Sequence, residues 1–172
     1  GWSGACTGTG SCVVTVDAAK SVTAAFALNS YPLTVSMAGT GSGAVTSTPP
    51  GITCGTDCSE PYNYGTSVTL TAAPATGATF TGWSGACTGT GSCVVTLDAA
   101  KSVTSTFTLN TYSLTVIKAG TGSGSVSSSP LGIACGLDCT EPYNYGTSIT
   151  LTAAPGTGAT FTGWSGACTG TG

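Results

Sequence analysis

The sequence predicts an all-β protein: a tandem array of small antiparallel β-sandwich-like domains, stapled by disulfides, with a period of 81, the offset from Gly1 to Gly82. Three observations lead there. The segment Gly-Trp-Ser-Gly-Ala-Cys-Thr-Gly-Thr-Gly stands at residues 1–10, 82–91 and 163–172, and aligning residues 1–91 with 82–172 leaves only 17 differences. Self-similarity at a fixed period marks a repeat architecture before any residue-level reading. Short apolar runs alternate with Ser and Thr between Gly, Pro and Asn, the pattern of half-buried strands. Cysteine also repeats, four to the period.

The elements follow in order. Leu33, Val35 and Met37 alternate along 33–37 and share one face of a strand. The glycine-rich turn 38–43 leads into a second short strand at 44–47, as in a hairpin, and Pro49-Pro50-Gly51 stops it. Residues 67–72 alternate most clearly, with Val68, Leu70 and Ala72 inward and Ser67, Thr69 and Thr71 outward. A turn at 74–77 leads into 78–83, and two more runs follow at 93–97 and 102–107, separated by the tight turn Asp98-Ala99-Ala100-Lys101. No stretch of eleven residues free of Gly and Pro has a period near 3.6, so helix is not expected. Six or seven short strands per repeat make a small antiparallel sandwich or partly rolled sheet.

The natural phase of the repeat sets the domain organisation. Residues 1–30 are the C-terminal part of one repeat, 31–110 a complete repeat, and 111–172 the N-terminal part of the next. Four-residue links at 27–30 and 108–111 are too short and too poor in Pro for free rotation, so neighbouring units should stack. Both ends fall at the same point within the period, which leads us to expect a window on a longer array, such as a filament described over its repeating unit. No run of eighteen or more apolar residues marks a membrane span.

Composition excludes whole classes of function. Only 9 of 172 residues are charged (3 Lys, 6 Asp or Glu), His is absent and the net charge is −3, against roughly a quarter charged in an ordinary domain. Three scattered lysines cannot neutralise a phosphate backbone, so nucleic acid is not an expected partner. Almost half the chain is Gly, Ser or Thr, a bias that low-complexity disorder would share. Against disorder stand the 40% apolar residues and a mean hydropathy of +0.32.

The cysteines are at 6, 12, 54, 58, 87, 93, 135, 139 and 168. Four per repeat allow three connectivities. The local one joins Cys6 to Cys12, Cys54 to Cys58, Cys87 to Cys93 and Cys135 to Cys139, and leaves Cys168 with its partner six residues on, beyond Gly172. Pairing between Cys54-type and Cys87-type positions is the alternative. A zinc site is the competitor, but C-x3-C and C-x5-C spacings without His fit it poorly, so no metal or other cofactor is expected. Disulfides place the array in an oxidising, extracellular compartment.

No nucleophile and base combination is available without His, so the chain is not expected to be an enzyme. Asp57 with Glu60, and Asp138 with Glu141, flank the cysteine turns, but two carboxylates make a poor calcium cage and a solvated loop is the simpler reading. Trp83, Tyr62, Tyr64 and Phe80 could stack a sugar. With so few large residues, however, Tyr31, Phe80, Trp83 and Phe107 are expected in the core. Thr69 and Thr71 could mimic an ice-binding row, yet alternating Thr is ordinary on a solvent-facing strand. Abundant Ser and Thr could carry O-glycans, while no Asn begins an Asn-x-Ser/Thr acceptor.

Several motifs also occur together: Tyr112-Ser113-Leu114-Thr115-Val116, Gly120-Thr121-Gly122-Ser123-Gly124, Gly51-Ile52-Thr53-Cys54-Gly55, the strand 65–72, Phe80-Thr81-Gly82-Trp83-Ser84-Gly85-Ala86-Cys87, and Asp98-Ala99-Ala100-Lys101-Ser102-Val103-Thr104. In this combination the chain resembles, over essentially its whole length, the divergent internalin-B-type B-repeat family of bacterial secreted and surface proteins. The resemblance implies a tandem extracellular β module of stalks, adhesins and large surface proteins, acting as a spacer, with no catalytic residues to carry over.

The expected function is therefore structural: an exported bacterial repeat protein whose disulfide-locked units form a stalk or a self-associating filament, its partner being itself. Strand edges are ordinarily guarded by charge. Here the charges sit in turns, at Asp17 and Lys20, Asp98 and Lys101, and beside the cysteine turns, with one unmatched Lys118. Near-identical units present the same contact at each step, which an open filament requires. An adhesin segment that binds glycan or a host surface through exposed aromatics is the alternative. Burial of Trp83 and Tyr62 would count against it.

Overall fold

The structure, a computed structural model, describes residues 1–170. It is all-β, with fifteen strands and no helix among the described residues. The first partial repeat contributes only β1 (Trp2–Gly4) and β2 (Val22–Ala24), which pair antiparallel. The complete repeat contributes eight: β3 (Ser30–Ala38), β4 (Gly43–Thr48), β5 (Thr53–Cys54), β6 (Ser59–Asn63), β7 (Ser67–Pro74), β8 (Ala78–Gly85), β9 (Cys93–Thr96) and β10 (Lys101–Leu109). They form two four-stranded sheets, in the orders β6-β3-β10-β8 and β5-β4-β7-β9. The following repeat supplies β11 (Thr111–Thr115), β12 (Gly124–Ser129), β13 (Ala134–Cys135), β14 (Thr140–Asn144) and β15 (Thr150–Pro155), in a pair β11-β14 and a triplet β13-β12-β15.

Alternation builds the core. Leu33 and Val35 of β3, Val45 of β4, Val68 and Leu70 of β7, Val95 of β9, and Val103 and Phe107 of β10 are all buried, while the residues between them are mostly exposed or half-buried. Six of the eight strands lie where alternation predicts them. The other two, β5 and β6, flank the cysteine turn. β5 is two residues long, and Glu60-Pro61 breaks the periodicity of β6. Proline is tolerated there because β6 is the edge of its sheet. β6 pairs with β3 from Ser30↔Asn63 to Thr34↔Ser59.

Several expectations need correction. Met37 is 43% exposed despite its phase with Leu33 and Val35, because it lies at the start of the glycine turn, where the strand leaves the core. Of the four expected core aromatics, Trp83 and Phe107 are buried but Tyr31 and Phe80 are only half-buried. Tyr31 packs edge-on to Tyr64, ring centroids 6.4 Å apart, and Phe80 covers Phe107 at 5.5 Å while staying partly open to solvent. Not every charge is in a turn: Glu60 lies on β6, Glu141 on β14, and Lys101 opens β10.

Ser47 is a polar residue on the inward phase of β4, buried two positions after Val45. Its hydroxyl accepts the Ile52 N–H at 2.9 Å and bonds the Tyr62 hydroxyl at 2.7 Å. The Tyr62 hydroxyl also donates to the Pro49 carbonyl at 3.3 Å. One period on, Ser128 repeats this with Ile133 and Tyr143, at 2.9 and 2.8 Å. A buried hydroxyl is costly unless satisfied, and here it fastens the Pro-Gly turn to the sheet.

Contacts divide the chain into two compact units that do not follow the sequence periods. One comprises Gly1–Ser36, Val45–Thr71 and Trp83–Thr104. The other comprises Met37–Ala44, Ala72–Gly82 and the chain from Ser105. Each unit thus contains a point where one repeat passes into the next, at Asn29 and at Asn110.

Candidate functional site

Among the described residues four disulfides form, all local: Cys6–Cys12, Cys54–Cys58, Cys87–Cys93 and Cys135–Cys139. Cys168 is free and exposed. Cys54, Cys93 and Cys135 are buried, so these bridges anchor their loops to the core. Closing such short loops contributes about 2 kcal/mol each on the chain-entropy model.

The aspartates serve turns. Asp57 Oδ1 accepts the Ser59 N–H at 3.2 Å, and Asp138 repeats this with Thr140 at 3.1 Å. Asp98 bonds Lys101 at 2.6 Å and Asp17 bonds Lys20 at 2.7 Å. The hydrogen bond from the lysine is the main cause that holds each carboxyl below its ordinary value of 3.8. Among the described residues no group of three or more His, Cys, Asp or Glu is close enough to hold a metal.

The aromatics offered as a sugar platform are dispersed. Trp83 is 5% exposed and donates its indole N–H to the Gly91 carbonyl at 3.0 Å; Tyr62 is 7% exposed within the Ser47 network. Tyr64 is exposed and packs on Tyr31.

What the residues do build is a junction between repeats. The expected four-residue link at 108–111 is a single residue: β10 runs to Leu109, β11 starts at Thr111, and only Asn110 lies between. Strand pairing extends into the supposed link because Asn110 is held through its N–H, its side-chain oxygen and its carbonyl. The N–H donates to the Gly77 carbonyl at 2.8 Å, Oδ1 accepts the Thr79 hydroxyl at 2.6 Å, and the carbonyl accepts the Tyr145 N–H at 2.8 Å. Gly77 and Thr79 belong to the preceding repeat and Tyr145 to the following one, so a single asparagine is bonded to both.

Packing completes the junction. Gly77 has φ +77°, a left-handed conformation that favours glycine, and a Cβ placed on it would overlap the Tyr145 ring. Tyr145 also packs on Tyr112 at 6.4 Å. At the earlier junction the Asn29 carbonyl accepts the Tyr64 N–H at 2.7 Å, and Tyr31 packs on Tyr64 at 6.4 Å. Sequence reasoning missed this site. Its available signal was the twice-occurring Leu-Asn-Ser/Thr-Tyr, at 28–31 and 109–112.

A disulfide-stapled β array with hydrogen-bonded repeat junctions defines the class: a tandem β-repeat protein. The sequence model of the divergent InlB B-repeat domain matches residues 33–111 and again 112–171. The chain belongs to this family. Neither the curated proteins nor the solved structures include a match to it.

Proposed function

We propose that the chain is a segment of an exported bacterial structural protein, a non-catalytic stalk in which successive repeats stack without free hinges. The observation that carries this reading is the junction at Asn110, a lone residue bonded to both repeats. A spacer has to transmit orientation from one unit to the next, and a flexible link of several residues would lose it. Four local disulfides and membership of the family support an extracellular setting. The burial of Trp83 and Tyr62 counts against the alternative, an adhesin segment binding through exposed aromatics, although Tyr64, Tyr112 and Tyr145 remain exposed.

Small-angle scattering from covalent arrays of increasing repeat number tests the proposal. The radius of gyration should rise nearly in proportion to the number of repeats. Growth with only about the 0.5 power, as for freely jointed units, would reject the stalk.

A further inference from the structure

Within the complete repeat, three hydroxyls stand in one loop without serving the fold. Between β8 and β9, residues 86–92 read Ala-Cys-Thr-Gly-Thr-Gly-Ser. The loop is firmly held: Cys87–Cys93 closes it, the Trp83 N–H donates to the Gly89 carbonyl at 2.7 Å, and the Trp83 indole donates to the Gly91 carbonyl at 3.0 Å. Thr88, Thr90 and Ser92 are nevertheless exposed, and among the described residues their hydroxyls bond no protein group. The glycines between them leave room, because no atom approaches the Cβ position of Gly89 or Gly91 within 4 Å. The exposure recurs whichever side the complete repeat lies on: Thr7 and Thr9 precede it, Thr169 follows it, and all three are exposed.

These threonines do not take part in the exchanges seen at other exposed positions. One period apart, Thr46 faces Ser127, Thr53 faces Ala134 and Thr56 faces Leu137 in the alignment. Thr88 is instead the same in all three copies, and so is Thr90. Threonine is favoured in strands because its branched side chain fits a pleated surface, but Thr88 and Thr90 lie outside any strand. An unvarying loop residue points to function more than to packing. What lies beside the loop shows what that function could serve. It joins β8, the edge of one sheet, to β9, the edge of the other. Edges are ordinarily protected by charge, proline or shortness. The opposite edges have such protection, since β6 carries Glu60-Pro61 and β5 is two residues long. Residues 78–97 carry no charge, and Val94 on β9 is 53% exposed.

We propose that Thr88 and Thr90 are acceptors of O-linked neutral sugar, and that the glycan guards the uncharged edge β9 against pairing with another chain. The co-reactant is a diphosphate-activated sugar, and a glycosyltransferase supplies the base. Threonine Oγ1 forms a bond to the anomeric carbon, and the bond from that carbon to the diphosphate oxygen breaks. The hydroxyl proton passes to the transferase base, and the diphosphate leaves with the electron pair, so nothing is oxidised or reduced. A hydroxyl that bonds nothing in the fold can be substituted without loss of an internal contact. A bulky hydrated group next to an edge strand keeps a partner strand away. Charge repulsion does this poorly here, with a net charge of −3 over 172 residues.

Fragmentation mass spectrometry of the protein as its own cells secrete it tests the proposal. After reduction, cleavage before aspartate releases residues 57–97 and 17–56. The first peptide should carry whole hexose or N-acetylhexosamine units localised to Thr88 and Thr90, while Thr46 and Thr48 in the second stay unmodified. The double variant Thr88→Ala, Thr90→Ala, secreted by the same cells, should lose those units and keep the Cys87–Cys93 bridge. At equal concentration its weight-average mass in sedimentation should exceed that of the native protein at least about twofold, as expected of an unguarded edge. An unmodified peptide 57–97, sugar spread equally over Thr46 and Thr48, or a double variant as dispersed as the native protein would each overturn the proposal. The stalk reading stands or falls separately, since scattering reports how repeats stack and these measurements report the loop.

Discussion

Phe107→Ala should destabilise the complete repeat by about 3–5 kcal/mol, the range for truncating a fully buried phenylalanine, while Phe26→Ala should leave the unfolding midpoint unchanged. The two residues occupy the same position one period apart. Phe107 is 1% exposed and Phe26 94%. The ring of Phe107 packs on Phe80 and lies so close over Gly43 that a Cβ there would overlap it; the Phe107 carbonyl crowds Gly39 in the same way. The surroundings are thus shaped to one side chain and cannot easily collapse into the void. Denaturant unfolding of the two variants, at a concentration low enough to keep the chain monomeric, measures the difference. Equal losses would mean that the first partial repeat is buried in solution, contrary to its observed exposure.

Gly77→Ala should cost considerably more than Gly158→Ala, although the two glycines are also one period apart. Their φ values are +77° and +76°, so the backbone strain of a side chain is the same in both, about 1 kcal/mol. Only Gly77 lies beneath a tyrosine; no atom approaches the Cβ position of Gly158 within 4 Å. Displacing the Tyr145 ring adds about 1–3 kcal/mol, as overpacking does elsewhere. A double-mutant cycle with Tyr145→Ala isolates that contact: the coupling should cancel most of the excess. If Gly77→Ala and Gly158→Ala prove equivalent, Tyr145 does not seat on Gly77 and the junction is looser than its hydrogen bonds imply.

How far the fold was legible from sequence depends on the range of the interactions involved. The repeat, six strands of the complete unit and a local disulfide pairing rest on patterns spanning a few residues, where alternation and spacing are direct consequences of pleat geometry. Strand β6 was hidden because Glu60-Pro61 reads as a break, and only its place at the sheet edge makes it a strand. Tyr31 and Phe80 were expected in the core because large aromatics are scarce. Which face an aromatic covers, however, is decided by partners such as Tyr64 and Phe107 that local pattern does not identify.

The junction was the least legible feature for the same reason. Asn110 resembles a linker residue, since asparagine favours turns, and its role depends on Gly77 and Tyr145, which lie far from it along the chain in opposite directions. Ser47 is parallel: a serine in an alternating strand is unremarkable until Tyr62 and the Ile52 amide meet it. In both places a small polar residue is fixed by hydrogen bonds that local pattern does not reveal.

Amide hydrogen exchange at Asn110 and Tyr145 tests the central claim, that successive repeats are joined by a fixed junction and not a hinge. Both N–H groups donate at the junction, Asn110 to Gly77 of the preceding repeat and Tyr145 of the following repeat to Asn110, each at 2.8 Å. They should exchange as slowly as the interior strand amides of β10, and both should accelerate together in Gly77→Ala. Exchange at the rate of an open loop, with β10 still protected, would show that the link is free and would contradict the stacked array.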